Sequence, residues 1–264
     1  MRWYLLLSLV WLVPLPGLAG EAKPLAYDLR VDLPIALIGS GLWIASGALQ
    51  DQLTPERCRW CDDNAFDARA RQSLRWSDPA PAGPVSDALV AGVVPLVSLG
   101  GIAVARALDG ANLHDTWLDA LFVVEATSVA ALMNQLVKFA AARERPYTHA
   151  GEYEGQPRGS FERTSFYSGH TTLAFALASA SGMVASLRGL RAAPAIWSVA
   201  LVAATFVGYA RVAGDFHYLS DVLTGAGLGC LVGAGLPWLM HRPRASVNLR
   251  VSAGAGTLVI GFQH

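Results

Sequence analysis

The sequence lacks an excess of charge of either sign. Among its 264 residues, 20 Lys and Arg side chains balance 20 Asp and Glu side chains, and only 15% of the residues are charged. A disordered acidic or basic protein, or a nucleic-acid binder that depends on a basic surface, needs the imbalance that is missing here. Because soluble domains carry about 25% charged residues, the shortage indicates a chain that buries much of its surface in its own core or in lipid.

Cysteine is also scarce, since three cysteines are too few for a fold built on disulfides. Cys58 and Cys61 are interpreted as a local disulfide or two structural thiols. A redox pair or half a zinc site is the alternative, although no second ligand pair at metal spacing accompanies them. Cys230 lies in an apolar stretch and is assigned to core packing. The sequence shows no carboxylate cluster typical of a magnesium site, so neither a metal nor a cofactor is predicted.

Hydrophobic residues, in contrast, make up 53% of the chain and fall into six stretches with helical periodicity. These stretches are Leu33–Leu49, Leu89–Leu108, Leu118–Ala142, Thr171–Leu187, Ala195–Val212 and Val222–Met240. They are rich in Ala, Gly and Ser, which allow helices to pack closely. The sequence therefore predicts an all-α six-helix bundle in a membrane. A soluble bundle in the periplasm is the alternative, because Pro95, Asp119 and Glu125 interrupt some stretches.

The first 20 residues are typical of an export signal peptide. Arg2 supplies a positive start, residues 5–13 form an apolar run, and small residues precede a cleavage point near Gly20. An uncleaved anchor is the alternative, although Pro14 and Pro16 leave the run shorter than the roughly 20 residues that a span requires. Either interpretation sends the chain to or across the inner membrane.

Polar segments divide the rest of the chain. Residues 51–85 form a polar insertion that contains both cysteines of the C-x-x-C motif and a predicted amphipathic helix near Phe66 to Trp76. Residues 143–169 form a second loop of the length that functional loops often have. Ser246 to Phe262 alternates like a short β-hairpin. The predicted organisation is a signal peptide at 1–20, an N-terminal helix and Cys-containing loop at 21–85, a core at 86–240 and a tail at 241–264.

The first candidate site motif is a pair of cations. Lys138 ends the third apolar stretch and Arg145-Pro146 follows seven residues later, a spacing that would place both cations on one helix face. Two converging cations suit an anion with several oxygens. A solvated basic helix end beside a membrane is the alternative interpretation.

The second motif is Ser168-Gly169-His170, immediately before the stretch Thr171–Leu187. A helix that starts here would expose backbone N–H groups to an anion, and glycine would allow its close approach. His170 would then lie beside the bound group. An ordinary serine N-cap is the plainer interpretation.

The third motif combines Arg211, His217 and Asp221. The i, i+4 spacing of His217 and Asp221 would, on a helix, let the carboxylate accept one imidazole proton and leave the other nitrogen free as a nucleophile. Arg211 adds a bidentate ligand for an oxyanion. Ionised residues that border apolar helices are costly without partners, which favours a functional interpretation.

Together the motifs resemble the signature of the type 2 phosphatidic acid phosphatase (PAP2) superfamily, which also holds bacterial acid phosphatases and vanadium haloperoxidases. That signature is Lys, six residues, Arg-Pro; then Pro-Ser-Gly-His; then Ser-Arg, five residues, His, three residues, Asp. Order and spacing agree over about residues 86–240, but Tyr167 replaces the proline and Ala210 replaces the serine. Neither position carries a proton or charge in the family mechanism, so we expect altered loop rigidity and not lost activity.

The resemblance implies a role for each motif residue. His217 would attack phosphorus, Asp221 would orient His217, and His170 would protonate the leaving alkoxide and then activate water. The phosphoryl oxygens would be held by Lys138, Arg145, Ser168, the Gly169 amide and Arg211. No metal takes part in this scheme.

The resemblance also predicts the activity, a metal-independent phosphatase for a lipid phosphate or pyrophosphate such as phosphatidate or polyprenyl pyrophosphate. The expected partners are the lipid substrate and the membrane, without nucleic acid. Alternatives are a soluble periplasmic acid phosphatase, a vanadium haloperoxidase, or a membrane scaffold with a vestigial site. Arginines after the fourth and sixth stretches favour an inner-membrane protein with its active site facing the periplasm. A cleaved signal followed by six spans would give the opposite orientation.

Overall fold

The structure is a computed structural model that describes residues 22–152 and 158–243, together with the backbone of 248–254 and 257–263. The predicted signal peptide, residues 1–20, lies outside the described residues.

Six long helices form a bundle, as predicted. Within the described residues they are α1 (Leu29–Ala48), α3 (Ala82–Leu108), α4 (Leu113–Ala141), α5 (Gly169–Arg188), α6 (Ala193–Ala213) and α7 (Leu219–His241). A shorter helix, α2 (Ala65–Leu74), precedes α3. The helix α3 contains two π-helical turns, at Leu89–Val93 and Leu96–Gly100. The architecture is therefore all-α around a six-helix bundle.

The outer surface of the bundle is apolar. All six long helices have the length and composition needed to cross a membrane. Large side chains such as Leu37, Leu96 and Leu231 are about two-thirds exposed, at 66%, 72% and 67%. Lipid, and not water, is the solvent that suits such a surface. This decides between the embedded and soluble bundles in favour of a membrane protein.

A glycine stripe on α7 lets α5 and α7 approach each other closely. A Cβ on Gly225 would lie 2.8 Å from the Ser168 carbonyl oxygen. A Cβ on Gly229 would lie 2.7 Å from the Thr172 carbonyl oxygen, and one on Gly233 would lie 2.3 Å from Ser179 Oγ. Larger residues would push the helices apart, since small residues four apart let two backbones approach in lipid. The stripe thereby holds the first turns of α5 and α7 side by side, where two of the three motifs lie.

The polar insertion folds over the same end of the bundle. Cys58 and Cys61 form a disulfide, so the local-disulfide interpretation is correct. The predicted amphipathic helix is α2, which Asn64 caps by accepting hydrogen bonds from two backbone amides. Trp76 N donates to the Ala213 carbonyl oxygen at 3.0 Å and ties the insertion to the end of α6. Cys230 is a free, partly buried thiol of α7.

The tail contains the predicted hairpin. Strands β1 (Asn248–Gly254) and β2 (Thr257–Gln263) pair antiparallel, with Asn248 opposite Gln263 and Gly254 opposite Thr257. The hairpin follows α7, whose last residue lies at the end of the bundle opposite the motifs.

Candidate active site

The three motifs meet at one end of the bundle, around a cavity of about 660 Å³. It lies where α4 and α6 end and where α5 and α7 begin. The motif residues that line it are Lys138, Arg145, Gly169, His170, Arg211 and His217. Ser168 and Asp221 are fully buried beside it. Three side chains that are ordinarily cationic thus converge on one space, which suits a polyvalent anion.

Arg145 reaches the cavity by a route that the sequence spacing did not predict. Helix α4 ends at Ala141 and Ala142 is left-handed with φ 42°, so Arg145 is not on the helix of Lys138 and the predicted shared helix face is wrong. A left-handed residue breaks the helical path and redirects the chain. Arg145 instead donates to the carbonyl oxygens of Phe161 and Phe216, at 2.6 and 2.7 Å. These bonds fix the guanidinium beside the cavity.

Gly169 is the first residue of α5, as the second motif predicts. A Cβ here would lie 3.0 Å from Asn134 Oδ1 and 3.5 Å from Lys138 Nζ, so glycine lets the Lys138 ammonium approach the helix N-terminus. Ser168 is the N-cap residue but makes no side-chain cap bond. Its hydroxyl accepts from Thr171 Oγ1 at 2.9 Å, and its amide donates to the Asp221 carbonyl oxygen at 3.1 Å. Ser168 therefore also joins α5 to α7.

His217 precedes α7, which begins at Leu219, so the prediction that His217 and Asp221 share a helix is wrong. The segment from Gly214 to Tyr218 turns back toward α6, and His217 N donates to the Arg211 carbonyl oxygen. The two side chains still meet, with His217 Nδ1 3.6 Å from Asp221 Oδ2. That distance exceeds a hydrogen bond, and catalytic hydrogen bonds often tighten only when substrate binds.

The second nitrogen of His217 faces the cavity. Its Nε2 lies 3.4 Å from Arg145 Nη1. Burial lowers the pKa of His217 well below its ordinary value, and the charges of Arg145, Lys138 and Arg211 lower that pKa further. The imidazole is therefore neutral at physiological pH, with a proton on Nδ1 facing Asp221 and a lone pair on Nε2 facing the cavity.

The Asp221 carboxylate accepts hydrogen bonds from three residues that belong to none of the three motifs. Its Oδ2 accepts from Ser165 Oγ at 2.5 Å and from the Tyr218 amide at 3.1 Å, while its Oδ1 accepts from Arg143 Nη1 at 2.6 Å. These three bonds fix the position of the carboxylate.

Arg143 was not predicted as a site residue, yet it links the insertion to the site. Its guanidinium is fully buried and also donates to Asp67 Oδ2 of α2 at 2.8 Å. The rings of Trp60 and Tyr218 lie 3.9 and 4.1 Å from its guanidinium carbon. Asp67 in turn accepts from both the amide and the hydroxyl of Ser220. A buried Asp67–Arg143–Asp221 chain thus lies behind His217.

Asp87 of α3 is a further residue that sequence reasoning missed. Its Oδ1 lies 2.8 Å from His170 Nε2, although the two residues are 83 positions apart. The preceding residue, Ser86, accepts from Arg211 Nη1 at 2.9 Å. The Arg211 guanidinium also stacks on the Phe216 ring at 4.0 Å. The beginning of α3 therefore positions both His170 and Arg211, and no motif spacing indicates this.

Comparisons with known proteins support the resemblance. Residues 119–245, which contain all three motifs, match the family model of the PAP2 superfamily. The match confirms the resemblance drawn from the motifs. Among solved structures, the chain is similar to the crystal structure of the first transmembrane PAP2 type phosphatidylglycerolphosphate phosphatase from Bacillus subtilis, at 17% identity and a TM-score of 0.43. That similarity covers 79% of this chain and 94% of the other. No curated protein matches the chain.

Proposed function

We propose that the protein is a metal-independent phosphatase that hydrolyses a lipid phosphate or pyrophosphate through a phosphohistidine on His217. The observation that carries the proposal is the convergence of Lys138, Arg145 and Arg211 around the neutral Nε2 of His217. The three cations bind the phosphoryl oxygens and stabilise the charge that they gain in the transition state. The Gly169 amide, at the N-terminus of α5, adds a donor and the favourable end of the helix dipole.

The reaction has two steps. In the first, His217 Nε2 forms a bond to phosphorus as the bond to the leaving oxygen breaks, and His170 donates a proton to that oxygen. Asp221 stabilises the positive charge that the imidazole gains. In the second, His170 takes a proton from water, the water oxygen bonds to phosphorus, and the nitrogen–phosphorus bond breaks to release phosphate and neutral His217.

A lipid substrate is supported by an apolar groove that continues from the cavity. The groove, of about 100 Å³, runs between α1, α4 and α5 and shares Trp43, Ala131 and Leu173 with the cavity. Its other lining residues include Val124 and Leu177. An acyl or prenyl chain in this groove would place its phosphate among the three cations.

The test is phosphate release by the purified full-length protein in excess EDTA. Phosphatidate and polyprenyl pyrophosphate are compared with a soluble aryl phosphate, and His217→Ala is the blank. Release from a lipid in chelator that disappears in the variant supports the proposal. Faster release from the aryl phosphate than from either lipid would point to a general acid phosphatase, while no release from any of them would remove the phosphatase proposal for these substrates.

The proposal places the cavity on the periplasmic side of the inner membrane. Its support is Arg191 and Arg242, which are exposed at the end of the bundle opposite the cavity, where the positive-inside rule places them in the cytoplasm. A membrane-impermeant thiol reagent applied to intact cells tests which side of the membrane the cavity faces. In a Cys230→Ala background, it should label Asp78→Cys near the cavity and spare Arg191→Cys; the reverse pattern would place the cavity inside.

Asp87→Asn should lower the rate of phosphate release, because the 2.8 Å contact with His170 orients the proton donor. We expect about a tenfold loss for an alkyl phosphate, a part of the 10²- to 10⁴-fold that general acid catalysis contributes. The first step with an aryl phosphate, followed as the burst of released aryl alcohol, should slow less, since that leaving group needs little protonation. Asp78→Asn, an exposed aspartate of the insertion, is the control. Equal slowing of the first step on the alkyl and the aryl phosphate would contradict a role through His170.

A further inference from the structure

A second buried polar cluster lies at the end of the bundle opposite the cavity. It joins Asp32 in the first turn of α1, Glu125 within α4 and His241 at the end of α7. The three residues are buried, and one ligand atom from each lies within 4.8 Å of the others. Because 20 residues of α7 separate Asp221 from His241 and 13 residues of α4 separate Lys138 from Glu125, the cluster is about 20–30 Å from the active site.

The hydrogen bonds of His241 define which of its nitrogens is free. Its Nδ1 lies 3.0 Å from the Ala26 carbonyl oxygen, which only accepts, so Nδ1 carries a proton. Its Nε2 lies 2.9 Å from Glu125 Oε2. In a neutral ring this nitrogen directs a lone pair at a carboxylate oxygen, an arrangement that requires a proton or a metal cation between them. The N–H to carbonyl contact is also the one that metal-bound histidines usually make. The Phe122 ring stacks on the imidazole at 3.8 Å and fixes its plane.

The second independent observation is an unsatisfied oxygen of Glu125. This side chain is fully buried, and within the described part of the chain its Oε1 has no hydrogen-bond partner. A buried carboxylate oxygen without a partner is costly. Asp32 Oδ2 accepts from the Asp28 amide at 2.8 Å, and one oxygen of the Asp32 carboxylate lies within 4.8 Å of the ligand atoms of Glu125 and His241.

The charge of the cluster favours a divalent cation over a proton. Two carboxylates and one imidazole keep a net negative charge even when the ring is protonated, and a buried net charge is unfavourable. Among the described residues, Arg106 and Arg188 do not offset this charge, because Arg106 pairs with Asp115 and Asp119, and Arg188 pairs with Asp119. A divalent ion with two carboxylates and a neutral imidazole is electrically neutral.

We propose that Asp32, Glu125 and His241 bind a divalent transition-metal ion, with Zn²⁺ as the best match. One imidazole nitrogen and two carboxylate oxygens are ligands that Zn²⁺ accepts in tetrahedral sites, and Glu125 Oε1 or water completes the set. The site joins the first turn of α1 to α4 and to the last turn of α7. Its role is structural, because it is remote from the phosphate-binding cavity.

The test uses the full-length protein in detergent after dialysis against EDTA. Isothermal titration with Zn²⁺ should show one equivalent bound per chain, and Zn²⁺ should raise the thermal unfolding temperature. Glu125→Gln and Asp32→Asn should each weaken Zn²⁺ binding by about tenfold or more. His114→Gln, an exposed histidine at the same end of the bundle, should bind like the wild type.

Two outcomes would overturn the metal site. The first is a wild-type protein that takes up no Zn²⁺; the second is binding that neither cluster variant weakens. If Glu125→Gln does not fold, Asp32→Asn carries the comparison. Phosphate release in EDTA should be the same in Asp32→Asn and the wild type, so failure of the metal site leaves the phosphatase proposal unaffected.

Discussion

His217→Ala should lower phosphate release by about 10⁴-fold or more, because a nucleophile that forms a covalent intermediate has no substitute in the cavity. The cations that surround His217 would still bind phosphate in the variant. The Michaelis constant should therefore change far less than kcat. Steady-state kinetics with a lipid phosphate in EDTA measure both constants.

Two variants make the His217 result specific. His149→Ala changes a histidine with a 40% exposed side chain, outside the cavity lining, and should retain wild-type activity. His170→Gln should still form the phosphohistidine from an aryl phosphate, because such a leaving group needs little protonation, but should hydrolyse it slowly. Acid-labile, alkali-stable ³²P on quenched His170→Gln protein, absent from His217→Ala, is the expected signature. Label that persists in His217→Ala would assign the nucleophile elsewhere.

The pH profile checks the protonation state of His217. Because burial and the neighbouring cations lower its pKa well below the ordinary value of about 6.5, the imidazole stays neutral as pH falls through that value. We therefore expect kcat/KM, corrected for ionisation of the substrate, to show no loss that tracks an ordinary histidine pKa. An acid limb centred near pH 6.5 that His170→Gln retains would contradict the neutral nucleophile.

Arg143→Met should destabilise the folded protein by about 3–5 kcal/mol, the usual cost of breaking a buried ion pair from one side. The guanidinium is fully buried between Asp67 and Asp221, so its removal leaves two buried carboxylates without their cation. It also removes the planar group between the Trp60 and Tyr218 rings. Thermal unfolding in detergent should show a clearly lower midpoint than in the wild type.

Other variants separate charge from packing. Arg59→Met alters an exposed arginine whose side chain, in the described structure, donates only to the Ala140 carbonyl oxygen, and it should change stability little. The stability of Arg143→Lys should fall between those of the wild type and Arg143→Met, since one ammonium group replaces a guanidinium that reaches both carboxylates. Adding Asp67→Asn to Arg143→Met should recover part of the lost stability. A double variant no more stable than the single one would show that packing, and not charge, dominates.

Much of the fold was predictable because each helix is encoded locally. The six apolar stretches predicted the six long helices, and polar residues at their ends marked where the chain leaves the bundle. The three motifs predicted which residues meet, because their order and spacing match a known signature. The spacing did not give their backbone conformation: Ala142 ends α4 before Arg145, and His217 precedes α7.

The sequence by itself thus determined a helical membrane protein with a candidate phosphate site, since apolar periodicity and motif spacing are properties of neighbouring residues. Only the tertiary structure decided which distant residues support that site. Asp87 meets His170 across 83 positions, and Arg143 meets Asp67 and Asp221 across 76 and 78. Such contacts depend on how helices pack, as where the glycine stripe lets α7 approach α5, and no local pattern records that geometry.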